Sequence, residues 1–237
     1  MYYRGIIHVH SCFSYDSVMK PEMIVRIAEK NRLNFIIVTD HETTKGAVAV
    51  QKIVRKRNLN MQVPLAAEYK TSCGDMIAAF ITNEITDMDF GNFCKEVREQ
   101  GGILLFPHPL IGHREIDYVA ENSDLIETFN SRTDKEANRK AYNLAQKYHK
   151  PMYAGSDSHL KGEFLNAVLS IKSNEDLKNA LLNFKINIER NNSSTPYNVI
   201  KSQYIKAIKM KNPWLFASQT KKLMAHVYNR NLLRPFQ

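Results

Sequence analysis

Residues 3–16 read YRGIIHVHSCFSYD. The apolar residues Ile6, Ile7 and Val9 predict a short strand, and that strand ends in His8 and His10, with Asp16 six residues beyond the second histidine. Residues i and i+2 of a strand project to the same side. HxH therefore presents two imidazoles in parallel, a natural grip on one cation. Buried imidazoles need partners, so the rest of the chain should hold the groups that answer them.

Along the chain, short apolar runs alternate with amphipathic stretches, which is the signature of βα units around a parallel sheet or barrel. Strands are predicted at 34–41, 63–71, 75–82, 103–109, 123–132 and 151–159, and helices at 20–33, 45–57, 88–100, 114–122 and 134–150. A strand, a helix and a last strand complete the body between 164 and 190. Where each apolar run stops, a group able to hold a metal appears: His8 and His10, Asp40 and His41, Glu68, His108, Glu127 and Asn130, then Asp157 and His159. In parallel βα architectures the carboxyl ends of the strands open on one face, so residues far apart in the chain can converge there. Histidine and carboxylate without thiolate suit zinc, manganese or iron. The set exceeds what one four-coordinate ion can use, which points to more than one metal bridged by a carboxylate such as Glu68.

The ordered motifs HVHSCFSYD, VTDH, AAEYKT, FPHPL, IETFNSR and GSDSH resemble those of the polymerase-and-histidinol-phosphatase (PHP) superfamily over residues 3 to 160. The resemblance implies a distorted (β/α)7 TIM-like barrel with two or three divalent metals at the strand ends. One metal would be held by His8, His10, Glu68 and Asp157, a second by Asp16, His41 and His159, and a third by Glu68 and His108. Many members carry a further histidine where this chain reads GDMIAAFI, so occupancy of the His108 site is the weak point; Asp75 is nearby, at the turn before that strand. The activity implied is hydrolysis of a phosphate ester by metal-activated water, with Asp157 and His159 assisting proton transfer. Asp40, Glu127 and Asn130 are read as partners that orient the ligands. Arg114 and Arg132 follow strand ends and are candidates to bind the substrate phosphate through paired donors, with Lys161 behind them. His113, His149 and His226 are expected to take no part.

The chain has 237 residues and a formal net charge of +9. Residues 191–237 hold Lys201, Lys206, Lys209, Lys211, Lys221, Lys222, Arg230 and Arg234 and no acidic residue, so residues 1–190 are nearly neutral. We expect a barrel over 1–190 and a basic helical appendage over 191–237, split at Pro213 and packed through Ile200, Tyr204, Ile208, Trp214 and Leu215. Its cations would be left for an anionic partner, nucleic acid or a membrane surface included. Three cysteines without a CxxC pair, no signal-peptide pattern and no apolar run of membrane length predict a cytoplasmic protein without disulfides. No GxxxxGK[ST] loop or GxSxG elbow occurs. Small phosphomonoesters such as sugar, amino-alcohol or nucleotide phosphates are the first expectation. Hydrolysis at nucleic-acid ends and a non-catalytic metal-binding module are the alternatives. The sequence does not fix the oligomeric state.

Overall fold

The apolar runs become strands and the amphipathic stretches become helices in a computed structural model, which describes residues 1–232, with side-chain environments through Met224. Arg234 and the side chains of His226 and Arg230 lie outside the described residues. In chain order the elements are β1 (Tyr2–Val9), α1 (Pro21–Lys30), β2 (Phe35–Val38), α2 (Lys45–Lys56), β3 (Ala66–Thr71), β4 (Gly74–Ala79), α3 (Phe90–Glu99), β5 (Ile103–Phe106) and α4 (Ile116–Asn122). They continue with β6 (Leu125–Asn130), α5 (Lys135–Lys147), β7 (Met152–Ser158), β8 (Ala167–Lys172), α6 (Leu177–Asn183), β9 (Asn187–Asn191), α7 (Pro196–Lys209) and α8 (Pro213–Leu232). Pro21 opens α1, where its missing N–H costs nothing. Asp89, Asp134, Asp176 and Thr195 cap α3, α5, α6 and α7 by accepting from backbone N–H groups of the first turn.

The sheet runs β3-β4-β5-β6-β7-β1, and β2 pairs with the free side of β1. Its two ends meet: His41 bridges Glu68, the Glu68 N–H donates to the Asp40 carbonyl at 3.1 Å, and the Glu42 N–H donates to the Glu68 carbonyl at 2.8 Å. The result is a distorted seven-stranded barrel. β8 lies antiparallel on the first half of β1, and β9 extends it as a ribbon. The sequence reading expects parallel βα units but sets 63–71 and 75–82 as neighbouring strands joined by a turn at Ser72–Gly74, and that hairpin is found. The two-residue turn at Ser72 and Cys73 is too short for a crossover, so β4 runs antiparallel to β3, and it is antiparallel to β5 as well. Its first residues, rather than its last, therefore stand at the ligand-bearing rim.

Alternation along the strands divides the core. Ile103 and Leu105 of β5 join Ile7, Phe35, Ile37, Ile77, Leu125 and Tyr153 in one cluster, while Leu104 and Phe106 join Phe93 and Val97 of α3 in another. α6 adds Leu177, Ala180 and Leu181 to the first of these. A third cluster packs α1 and α2 on β1 and β2.

The basic segment forms the two helices expected, with only part of the expected face covered: Tyr204 and Leu215 are half-buried. Ile200 and Ala207 are buried, whereas Ile208 is 65% exposed and Trp214 85% exposed. Polar contacts set the rotation of α7: Ser202 meets Arg132, and the Lys209 ammonium donates to the carbonyls of Cys12, Ser14 and Ser17. That rotation turns Ala207 inward and Ile208 out. Because Leu105 is fully buried, Leu105→Ala is expected to destabilise the fold by about 2–5 kcal/mol, measured by urea denaturation followed by circular dichroism.

Candidate metal centre

The pair that begins the chain's chemistry is placed by a bulge rather than by plain alternation. Between Ile7 and Val9 the register of β1 shifts against both β2 and β7, and His8 takes a left-handed φ of 67°. Bulges beside functional sites redirect side chains. Here the bulge brings the two imidazoles to a centroid separation of 5.2 Å. Asp157 (φ 43°) and His108 (φ 28°) also hold positive φ, a strain that persists only where surrounding contacts impose it.

These residues converge with Glu68 at the rim. His8 Nε2 lies 3.5 Å from Glu68 Oε2 and 3.6 Å from Asp157 Oδ1, and His10 Nε2 lies 3.4 Å and 3.5 Å from the same two atoms. Donors about 2.1 Å from a tetrahedral ion are separated by about 3.4 Å, so the spacing is that of ligands around a cation. A second group joins His10, Asp16, His41 and His159, in which Asp16 Oδ2 is 3.2 Å from Nε2 of both His41 and His159. A third joins Glu68, Asp75 and His108, with His108 Nε2 3.1 Å from Glu68 Oε1. Asp75 reaches this group because β4 is reversed. It pairs with Lys70 across the hairpin, two positions from Glu68 and on the same face.

Electrostatics bear on whether a cation fits. His8 Nε2, His10 Nε2, Asp16 Oδ1 and His108 Nδ1 are buried without any hydrogen-bond partner, a costly state unless something binds them. Burial, with His159 and His41 nearby, drives the His10 pKa down to about 3, so its ring is neutral and offers a lone pair. Burial opposes ionisation of Glu68 and Asp157, but the surrounding imidazoles outweigh it and hold both well below the usual carboxylate range. Burial likewise opposes a charged His108, yet its hydrogen bond to Glu68 pushes it up to about 9. Buried imidazoles around ionised carboxylates, several of their atoms unpartnered, fit divalent cations, which would take the place of the protons that His8 and His108 otherwise hold.

The supporting residues divide by what they touch. Glu127 accepts from His8 Nδ1 at 2.9 Å, from the His108 N–H at 2.6 Å and from Asn130 Nδ2 at 2.9 Å. It has room only because residue 155 is glycine: a Cβ there would lie 1.6 Å from the Glu127 carboxylate. Asn130 also donates to Asp157 Oδ2 at 3.1 Å. Asp40 stays out of the ligand groups and instead accepts from the Ser11 N–H, Ser11 Oγ and Ser14 Oγ, fixing the loop that carries Asp16. Tyr15 stacks on His41 with centroids 4.5 Å apart. His113, expected to stand apart, sits behind the third group and donates from Nε2 to the Asp75 carbonyl at 2.7 Å.

A cleft of about 290 Å³ opens over these groups, lined among others by Lys70, Asp75, Arg132 and Lys206. Arg114 is exposed and does not line it. Lys161 lines a separate groove with Arg26, Lys30 and Arg190. Arg132 lines the cleft, but its guanidinium is engaged with Glu163, His159, Ser202 and the Asn198 carbonyl. Sequence reasoning missed Glu163, four residues past His159, which accepts from Arg132 and from the N–H groups of His159 and Leu160. Lys70 was also missed, and Lys206 was read only as one of the tail's cations left for an anionic partner.

Residues 135–183 match the family described as PHP-associated. Two uncharacterized proteins of Methanocaldococcus jannaschii are similar in sequence. One is 28% identical over 228 residues, covering 88% of this chain and 85% of the relative, and the other is 27% identical over 145 residues, covering 54% and 82%. A two-domain Bacteroides vulgatus protein containing a predicted PHP-like metal-dependent phosphoesterase shares the fold with a TM-score of 0.66 at 18% identity. That likeness covers 81% of this chain, which spans 65% of that protein's length. The chain thus shares the fold of a protein containing a predicted PHP-like phosphoesterase, and its residues 135–183 match the PHP-associated family.

Proposed function

We propose that the protein hydrolyses a small phosphomonoester, a sugar, amino-alcohol or nucleotide phosphate, using two or three zinc, manganese or iron ions. The observation that carries this reading is the buried donor cluster, with unpartnered lone pairs at ligand-to-ligand spacing. His8, His10, Glu68 and Asp157 would hold one ion, and Asp16, His41 and His159 a second. Glu68, His108 and Asp75 would hold a third, Asp75 standing in for the histidine absent from GDMIAAFI. Bound there, such ions neutralise phosphate charge and make water nucleophilic near neutral pH.

The chain's own residues set the geometry and handle protons. Glu127 takes the Nδ1–H of His8 and so turns Nε2 toward the cluster. Asn130 occupies Asp157 Oδ2 and leaves Oδ1 for the histidine face. His159 Nδ1 lies 2.9 Å from both the Arg132 guanidinium and the Asp157 carbonyl. Accepting from Arg132 places the ring proton on Nε2, toward Asp16, whereas donating to the carbonyl frees Nε2 as a lone pair. This pair of tautomers supports a role for His159, with Asp157, in moving a proton. A cleft of about 290 Å³ suits a small ester better than a polymer. Among the described residues no helix is long and apolar enough to cross a membrane. The free cysteines, two of them buried, suit a reducing cytoplasm.

Metal-loaded protein is expected to release phosphate from monoesters in a panel that includes diesters and 3′- and 5′-phosphorylated oligonucleotides. Chelation should abolish the activity, and His10→Ala should lower kcat/KM by about a thousandfold. Release only from oligonucleotide ends would replace the small-ester reading, and no release from any ester by protein of verified metal content would leave a binding module. Glu127→Ala should weaken zinc binding by about 10–100-fold in a chelator-competition titration. Asp75→Ala should remove the third ion alone, bringing the count by elemental analysis toward two.

A further inference from the structure

We propose that α7 is part of the substrate site, and that its Lys206, with Lys70 of β3, binds the phosphate group of the substrate. The inference rests on the phosphoesterase reading above and identifies which cations that reading needs. Three basic side chains line the cleft over the donor groups: Lys70, Arg132 and Lys206. Arg132 is 9% exposed and spends its nitrogens on Glu163, His159 and α7 itself. Among the described residues the lysine ion pairs are made by Lys95, Lys140 and Lys147. Lys70 and Lys206 therefore face the cleft without an acidic partner within 4 Å.

The placement of Lys206 is specified from both sides. Ser202, Lys206 and Lys209 follow one another at intervals of four and three residues, so they share one face of α7. Ser202 is hydrogen-bonded to Arg132, which also contacts His159. Lys209 is held by the carbonyls of Cys12 at 2.9 Å and of Ser14 and Ser17 at 2.7 Å each, the loop that carries Asp16. Two anchors, one turn before Lys206 and one turn after it, thus tie the helix to residues that belong to the donor groups.

Between them the Lys206 ammonium lies 4.5 Å from the centre of the Tyr15 ring, and that ring stacks on His41. A cation over an aromatic face is held more weakly than one paired with a phosphate dianion, so the ammonium is free to turn to an incoming phosphate. Two ammonium groups beside divalent cations favour a terminal phosphate dianion over a singly charged diester.

The test uses the full-length, metal-loaded protein with inorganic phosphate as the calorimetric probe, alongside steady-state kinetics on a monoester. Lys206→Ala should raise the phosphate Kd and the monoester KM about tenfold or more, with metal content unchanged. Lys206→Met, which keeps the chain length over Tyr15, should do the same, and Lys206→Arg should restore most of the affinity. Wild-type phosphate affinity in the alanine and methionine variants would overturn the proposal, as would metal-loaded wild type that binds no phosphate. Lys206-dependent phosphate binding without turnover of any ester would uphold this site while ending the phosphoesterase reading.

Discussion

The burial of Glu68 is the constraint on which the rest of the structure turns. Its carboxylate is 1% exposed in the middle of β3, and it lies within 3.5 Å of nitrogens from His8, His10, His41 and His108. A lone carboxylate at such a depth would be neutral or would unfold its surroundings. Here the imidazoles of His8, His41 and His108, from three other strands and their loops, hold it charged. Because those strands are β1, β2 and β5, the barrel has to wrap until they surround β3. The short bridge between β2 and β3 at His41 and Glu68 is the same contact seen from the backbone.

Assembling so many ionisable groups strains the chain locally. His8, His108 and Asp157 all adopt left-handed backbone, and the register of β1 slips beside His8. No regular strand would aim His8 and His10 at one point while keeping Ile7 and Val9 in separate apolar clusters. The surrounding contacts offset this strain: Glu127 pins His8 and the His108 backbone together, and Gly155 leaves the space in which Glu127 lies. The arrangement explains why a glutamate and a glycine that contribute no donor to the groups at the rim are as constrained as those that do.

Much of this was legible in the sequence, and for a physical reason. Donor residues that stop apolar runs can be counted without knowing the fold, and their order along the chain matched one family's motifs. Asp75 could be named near the His108 site but not assigned to the third group, because its placement depends on where the turn ends and β4 begins, which apolar periodicity does not fix. Arg114 read well because it follows a strand by only eight residues, but the loop turns and leaves it outside the cleft. Arg132 was placed at the cleft correctly, yet the pattern could not show that its donors were already taken by Glu163 and α7.

The tail shows most clearly where patterning stops being informative. Of the apolar stripe expected to dock it, Ile200 is buried but Ile208 and Trp214 face solvent, and α7 is also held by Arg132 to Ser202 and by Lys209 to three carbonyls. Polar docking of this kind fixes rotation and register more strictly than an apolar stripe, because hydrogen bonds are directional where hydrophobic contacts are not. A helix whose task was only to cover the barrel would gain nothing from that strictness. Strict placement matters when one residue on the docked face must arrive at a chosen point, and the residue between the two anchors is Lys206.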